Sequence, residues 1–129
     1  DFKKASFKVS DLALAASGTV SLELAANQTP MVIGYDLNSL SRRIISSLLR
    51  TDTVTLVNLI TGNRNIPECI GLNLNVENLF LEMVRVYSNK QNQLNDFKLT
   101  MNLLGDSEIH PNVRAANSLI NFYNNFRRA

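Results

Sequence analysis

Cys69 is the only cysteine in 129 residues, so no disulfide can form within the chain. That fits a reducing compartment. Long apolar runs are also missing. None approaches the roughly 20 residues that span a bilayer, because the longest candidates are broken by Arg42 and Arg43 or by Asn and Gly. An excess of one charge is small: a net +2 does not point to nucleic acid, which normally calls for a concentrated basic face, so nucleic acid is not an expected partner. The opening residues, Asp-Phe-Lys-Lys-Ala-Ser-Phe-Lys, hold no apolar stretch of signal-peptide type. They also lack an initiator Met, which reads as a start in the middle of a longer protein. Clustered metal-ligand residues are absent, so no metal and no other cofactor is expected. Cys69 has no nearby His, Lys or second Cys and reads as a small core residue. His110, just before Pro111, reads as a capping or surface residue.

What is present is a hydrophobic content of 45% in a chain of one-domain length. Its character changes near residue 75. Before that point, short apolar runs alternate with helical patterns. Leu12 to Ala16, Met31 to Ile33 and Val54 to Val57 read as buried strands, with helices over Thr19 to Ala26 and Asn38 to Leu49. Strands alternating with helices predict an α/β unit with about three parallel strands. After residue 75 the pattern is helical throughout. Val76, Leu79, Phe80, Met83, Val84 and Tyr87 mark one helix, and Leu94, Phe97, Met101 and Leu104 a second, stopped by Gly105. A third helix starts at Pro111, with Ala116, Leu119, Ile120 and Tyr123 on its apolar face. The expected division is 1–74 as an α/β nucleotide-binding part and 75–129 as a helical tail packed on it. Three strands are few for a doubly wound sheet, so the open edge is expected to be covered by another chain or by the tail helices.

The chemistry concentrates at two places. Ser17-Gly18-Thr19 turns the first strand into a helix, whose free N–H groups and partial positive charge suit a phosphate. Glu23, one helical turn on, could accept from sugar hydroxyls. The same residues also fit an ordinary turn, with Gly for backbone freedom and Thr or Ser as a cap. They form neither a P-loop nor a full Gly-x-Gly-x-x-Gly fingerprint. The second place is Asn58, Gly62 and Glu68. Asn58 follows the expected strand at 54–57 and could read a base edge or simply brace its loop. Pro67-Glu68 looks like a helix start with a first-turn acid. Arg42, Arg43 and Arg50 form a basic strip that could meet anionic lipid or could be a solvated face.

Leu12-Ala-Leu-Ala-Ala-Ser-Gly-Thr-Val-Ser-Leu-Glu23, Thr29-Pro-Met-Val-Ile-Gly-Tyr35, Val57-Asn-Leu-Ile-Thr-Gly62 and Ile66-Pro-Glu68 together resemble the carboxyl-terminal part of lipid-A-disaccharide synthase, in order and spacing as well as in sequence. The resemblance runs from about Ser10 to Glu68 and continues weakly through the tail. It departs where the family usually has Pro at the position of Val57, and Gln where this chain has Cys69-Ile70-Gly71. It implies a partial Rossmann-like fold, the carboxyl-terminal half of a GT-B glycosyltransferase. It implies transfer of 2,3-diacylglucosamine from its UDP derivative to 2,3-diacylglucosamine 1-phosphate with inversion, at the cytoplasmic face of the inner membrane. Ser17, Gly18 and Thr19 would meet the UDP pyrophosphate, Glu23 the ribose, and Asn58 would lie near the nucleotide. The amino-terminal half, expected to bind acceptor and supply the base, has no counterpart here. The chain alone is therefore expected to be inactive, with a second copy or the missing half as partner. Rival expectations are another GT-B-type nucleotide-sugar enzyme, an epimerase or transferase, and a non-catalytic nucleotide-binding fragment.

Overall fold

A computed structural model describes residues 2–16, 18–36, 52–105 and 111–127. Among the described residues the elements are α1 (Phe2–Val9), β1 (Ala13–Ala15), α2 (Val20–Ala26), β2 (Met31–Tyr35), α3 (Leu56–Thr61), β3 (Glu68–Ile70), α4 (Val76–Ser88), α5 (Gln91–Leu104) and α6 (Pro111–Phe126), with a 3-10 turn at Gly71–Asn73. The strands form one parallel sheet in the order β1-β2-β3. This is the expected α/β unit followed by helices. The expected helix over Asn38 to Leu49, with Arg42, Arg43 and Arg50, lies outside the described residues, as do Ser17 and His110.

β2 is the centre of the sheet and is buried on both faces, as a middle parallel strand must be. Alternation along it separates two apolar clusters. Met31 and Ile33 join Leu24 and Ala25 of α2, Val57 of α3, Ile66, and Phe97 of α5, with Phe7 of α1 packed at the margin. Val32 faces the other way, towards Cys69 and Val86, with Leu74, Leu79 and Met83 beside them. Helices therefore cover both sides of the sheet. Gly34 lets α4 come close: a Cβ there would meet Leu74 Cδ1 and Leu79 Cδ2 at 3.3 Å.

Two sequence expectations are corrected. Val54 to Val57 is not a strand. Residues 53–55 have no sheet pairing, and the chain then enters α3, with Thr55 extended at its N-cap and Gly62 left-handed at its C-cap (φ +73°). A four-residue apolar run does not distinguish a strand from a buried helix turn, and Val57 and Asn58 are buried as helix residues. The third strand is instead Glu68–Ile70, where Pro67-Glu68 had the look of a helix start. Cys69 is buried between the sheet and α4, and the Glu68 side chain serves the start of α3, as described below. The opening residues form α1, for which their composition gave no signal.

In the tail, Gly105 is left-handed (φ +73°) and ends α5, and α6 begins at Pro111, both as expected. The buried side of α4 is Leu79, Met83 and Val86, whereas Val76, Phe80 and Tyr87 of the expected stripe are exposed. Leu119, Ile120 and Tyr123 of α6 are exposed as well.

β2 extends below β3, and a side chain fills the gap. Ile33 N–H donates to Pro67 C=O at 2.9 Å, so by the two-residue period Met31 turns its polar groups to the same side, where no strand residue stands. Gln93 of α5 supplies both partners. Its Oε1 accepts from Met31 N–H at 2.9 Å, while its Nε2 donates to Met31 C=O at 3.0 Å and to Asn65 C=O at 3.1 Å. Gln93 is buried. Gln93→Ala strands both backbone groups of Met31 in the interior. It should lower stability by about 2–4 kcal/mol, read as a reduced urea midpoint at unchanged slope.

Candidate functional site

The carboxyl ends of parallel strands are where ligands bind in open α/β sheets. Here that edge carries the turn from β1 into α2. Gly18 has φ +115°, a conformation that side-chain-bearing residues rarely adopt, and a Cβ there would touch nothing within 4 Å. Backbone shape, rather than space, therefore asks for glycine. The first helical bonds run from Ser21 N–H to Gly18 C=O at 3.2 Å and from Leu22 and Glu23 N–H to Thr19 C=O. The buried Ser21 hydroxyl also donates to Gly18 C=O at 2.8 Å and fixes the turn. Thr19 makes no side-chain cap bond, so its hydroxyl is not used as a cap. Glu23, one turn further on, forms an ion pair with Lys3 of α1, Nζ to Oε2 at 2.6 Å. A cleft of about 380 Å³ lies beside that pair, lined by Lys3, Lys4, Phe7, Glu23, Ala26 and Asn27. Gly18, Thr19 and Glu23 thus share one loop and helix start.

Asn58 belongs to a different cluster. It lies inside α3 and is buried. Its Nδ2 donates to Ile66 C=O at 2.9 Å and lies 3.3 Å from both Glu68 Oε1 and Thr53 Oγ1, while its Oδ1 accepts from Ile66 N–H at 3.1 Å. The amide is thus engaged at both ends as a brace on the chain entering β3. Glu68 completes the cluster. Its carboxylate accepts from the Thr53 hydroxyl, from Val54 N–H at 3.2 Å and from Thr55 N–H at 2.9 Å. It therefore acts as a side-chain cap, supplied from another segment, for the start of α3. Ala15, Ile33 and Glu68 share one row across the sheet, so this knot is level with the end of β1. The far end of the same loop is held by Asp96 of α5, which accepts from Asn63 Nδ2 at 2.7 Å and Asn65 Nδ2 at 2.8 Å.

Thr53, Gln93 and Asp96 carried no sequence signal. Isolated polar residues in apolar periodic segments look solvent-facing until the fold buries them. The buried Cys69 thiol has its pKa pushed up by burial, with the Glu82 carboxylate adding to the effect, which disfavours the reactive thiolate. Among the described residues, no group of three or more His, Cys, Asp or Glu side chains could hold a metal ion. Among the same residues, no helix is long and apolar enough to cross a membrane.

A parallel sheet covered by helices on both faces, with a glycine turn leaving its first strand, defines a partial Rossmann-like α/β unit. The family can be stated more closely. The chain belongs to the lipid-A-disaccharide synthetase family, whose model matches residues 1–119, a family of glycosyltransferases of lipid A biosynthesis. It is similar to the lipid-A-disaccharide synthase of Ruegeria pomeroyi, 46% identical over 118 residues, which cover 92% of this chain and 29% of that protein. The Rickettsia prowazekii synthase is 42% identical over 89 residues, covering 69% of this chain and 23% of its own length. The Rickettsia canadensis synthase is 51% identical over 67 residues, covering 52% and 17%. The chain thus spans less than a third of the length of the curated relatives it matches.

Two outcomes test the site's scaffold. Glu68→Ala leaves two backbone N–H groups and Asn58 short of an acceptor and should cost about 2–4 kcal/mol, read by chemical denaturation. On the surface, the Arg64 guanidinium bonded to Asp52 holds that carboxyl below its ordinary 3.8. A depressed value means the pair's contribution is present above the unfolded pKa and fades as pH falls through the folded one. Arg64→Ala should return Asp52 towards 3.8, measured by carboxyl-carbon NMR titration.

Proposed function

We propose that this chain supplies the donor-nucleotide part of a lipid-A-disaccharide synthase. The observation that carries the reading is the family match across residues 1–119, which includes the whole Leu12 to Glu23 segment. The donor is UDP-2,3-diacylglucosamine and the acceptor 2,3-diacylglucosamine 1-phosphate. The acceptor 6-hydroxyl gives its proton to the catalytic base of the amino-terminal half as its oxygen attacks the anomeric carbon, the bond from that carbon to the UDP oxygen breaks, and UDP leaves with the bonding electrons. The configuration inverts, and the β-1,6 disaccharide remains.

In this reading Ser17, Gly18 and Thr19 meet the pyrophosphate through backbone N–H groups and hydroxyls. A turn of this shape has donors to offer, because the first amides of a helix have no partner within it. Glu23 accepts from the ribose hydroxyls. Asn58 serves the same site by bracing the loop beside it. Residues 1–74 carry the donor contacts, and the helices of 75–129 support them. Arg42, Arg43 and Arg50 face anionic lipid, which suits a peripheral enzyme at the cytoplasmic face of the inner membrane. The acceptor site and the catalytic base come from an amino-terminal half, and the chain associates with that half or with a second copy. The 129 residues alone accordingly turn over no substrate.

The test is co-expression with the amino-terminal half of a relative, followed by a UDP-release assay. Glu23→Ala and Ser17→Ala should each lower turnover per KM by about tenfold or more, the scale of one lost charge-assisted hydrogen bond. Unchanged values in both would remove the assigned roles. Product from the 129 residues alone would show that no second half is needed.

A further inference from the structure

We infer that Lys3 is a positioning residue for nucleotide binding: it fixes the Glu23 carboxylate in the orientation that receives the ribose hydroxyls, which makes α1 part of the donor site. The inference rests on the assignment of Glu23 to the ribose made above.

Three features of the fold carry it. Lys3 Nζ lies 2.6 Å from Glu23 Oε2. The same ammonium lies 5.5 Å from the centroid of the Phe7 ring, and Phe7 packs on the main apolar cluster. The cation is therefore held between a ring anchored to the core and the carboxylate it orients. The direction of α1 supplies the third feature. Near its end, Phe7 C=O accepts from the Thr29 hydroxyl at 2.7 Å, just before β2 begins. The end of α1 is therefore at the amino edge of the sheet, and its start, with Lys3, points to the carboxyl edge where Gly18 and Thr19 lie.

The chemistry favours such a brace. A glutamate on an exposed helix turn samples several rotamers, and two adjacent hydroxyls are bound well only when both carboxylate oxygens face them. Fixing the rotamer in advance removes that ordering cost from binding. The Lys3–Glu23 pair is about half exposed on both sides, so it contributes little to folding. Its effect on ligand binding can thus be read separately from stability.

The experiment is calorimetric titration of the full chain with UDP and with 2′-deoxy-UDP. The readout is the ratio of the two affinities, which reports the ribose contact alone. Glu23→Ala should bring the ratio close to one. Lys3→Met should weaken UDP about three- to tenfold, weaken 2′-deoxy-UDP less, and so lower the ratio. Lys3→Arg should restore much of it. Lys4→Met, which removes a neighbouring charge without the contact to Glu23, should leave the ratio unchanged. In the Glu23→Ala background, Lys3→Met should have no further effect on it. If Glu23→Ala keeps the wild-type ratio, or the wild-type chain does not bind UDP, the assignment of Glu23 fails and this inference with it. If Glu23→Ala collapses the ratio while Lys3→Met preserves it or tightens UDP, the role of Lys3 alone is overturned.

Discussion

The Gln93 carboxamide is the contact on which the rest of the arrangement depends. β2 is the central strand, and its first residue has no backbone neighbour on the β3 side. A buried peptide group without partners is among the larger penalties a fold can carry. Gln93 removes it by standing in for a strand residue, giving one acceptor and one donor to Met31 and a further donor to Asn65. That single side chain fixes α5 against the sheet and aims the 63–67 segment at β3. The orientation of β3 in turn sets where Glu68 meets the start of α3.

The apolar part of this design was legible in the sequence. Met31 to Ile33 read as a buried strand and is one, and Phe97 and Leu94 marked the face of α5 that enters the core. The turn at Gly18 and the stop at Gly105 were equally readable, because left-handed backbone points to glycine. The segment at 53–70 was not. Its Val54 to Val57 run is too short to show a period, and its true strand, Glu68-Cys69-Ile70, alternates a carboxylate with a buried thiol. What decides its shape is a set of side-chain bonds made by Asn58, Glu68, Gln93 and Asp96, reaching across 8 to 62 positions of sequence. No local pattern encodes such pairings. The same holds at the site: the Ser-Gly-Thr turn and Glu23 were visible as neighbours, whereas Lys3 reaches Glu23 only through the packing of α1 beside α2.

Two kinds of order therefore meet at the carboxyl edge of the sheet. The Gly18 turn is specified locally, by φ at one residue and one buried serine hydroxyl. The neighbouring Thr53 to Glu68 cluster is specified at a distance, by a carboxylate that caps a helix outside its own segment. Because Ala15 and Glu68 share a row through Ile33, the two are joined by the sheet itself and not by a flexible loop.

The bonds at Gln93, Asp96, Asn58 and Glu68 also bear on how this unit comes apart. Each links a helix or loop to backbone far away in the chain, so releasing one exposes polar groups that the next had covered. Piecewise fraying from the 53–70 segment is thereby suppressed, and α3, β3 and the first turns of α5 open together, as one cooperative block around β2.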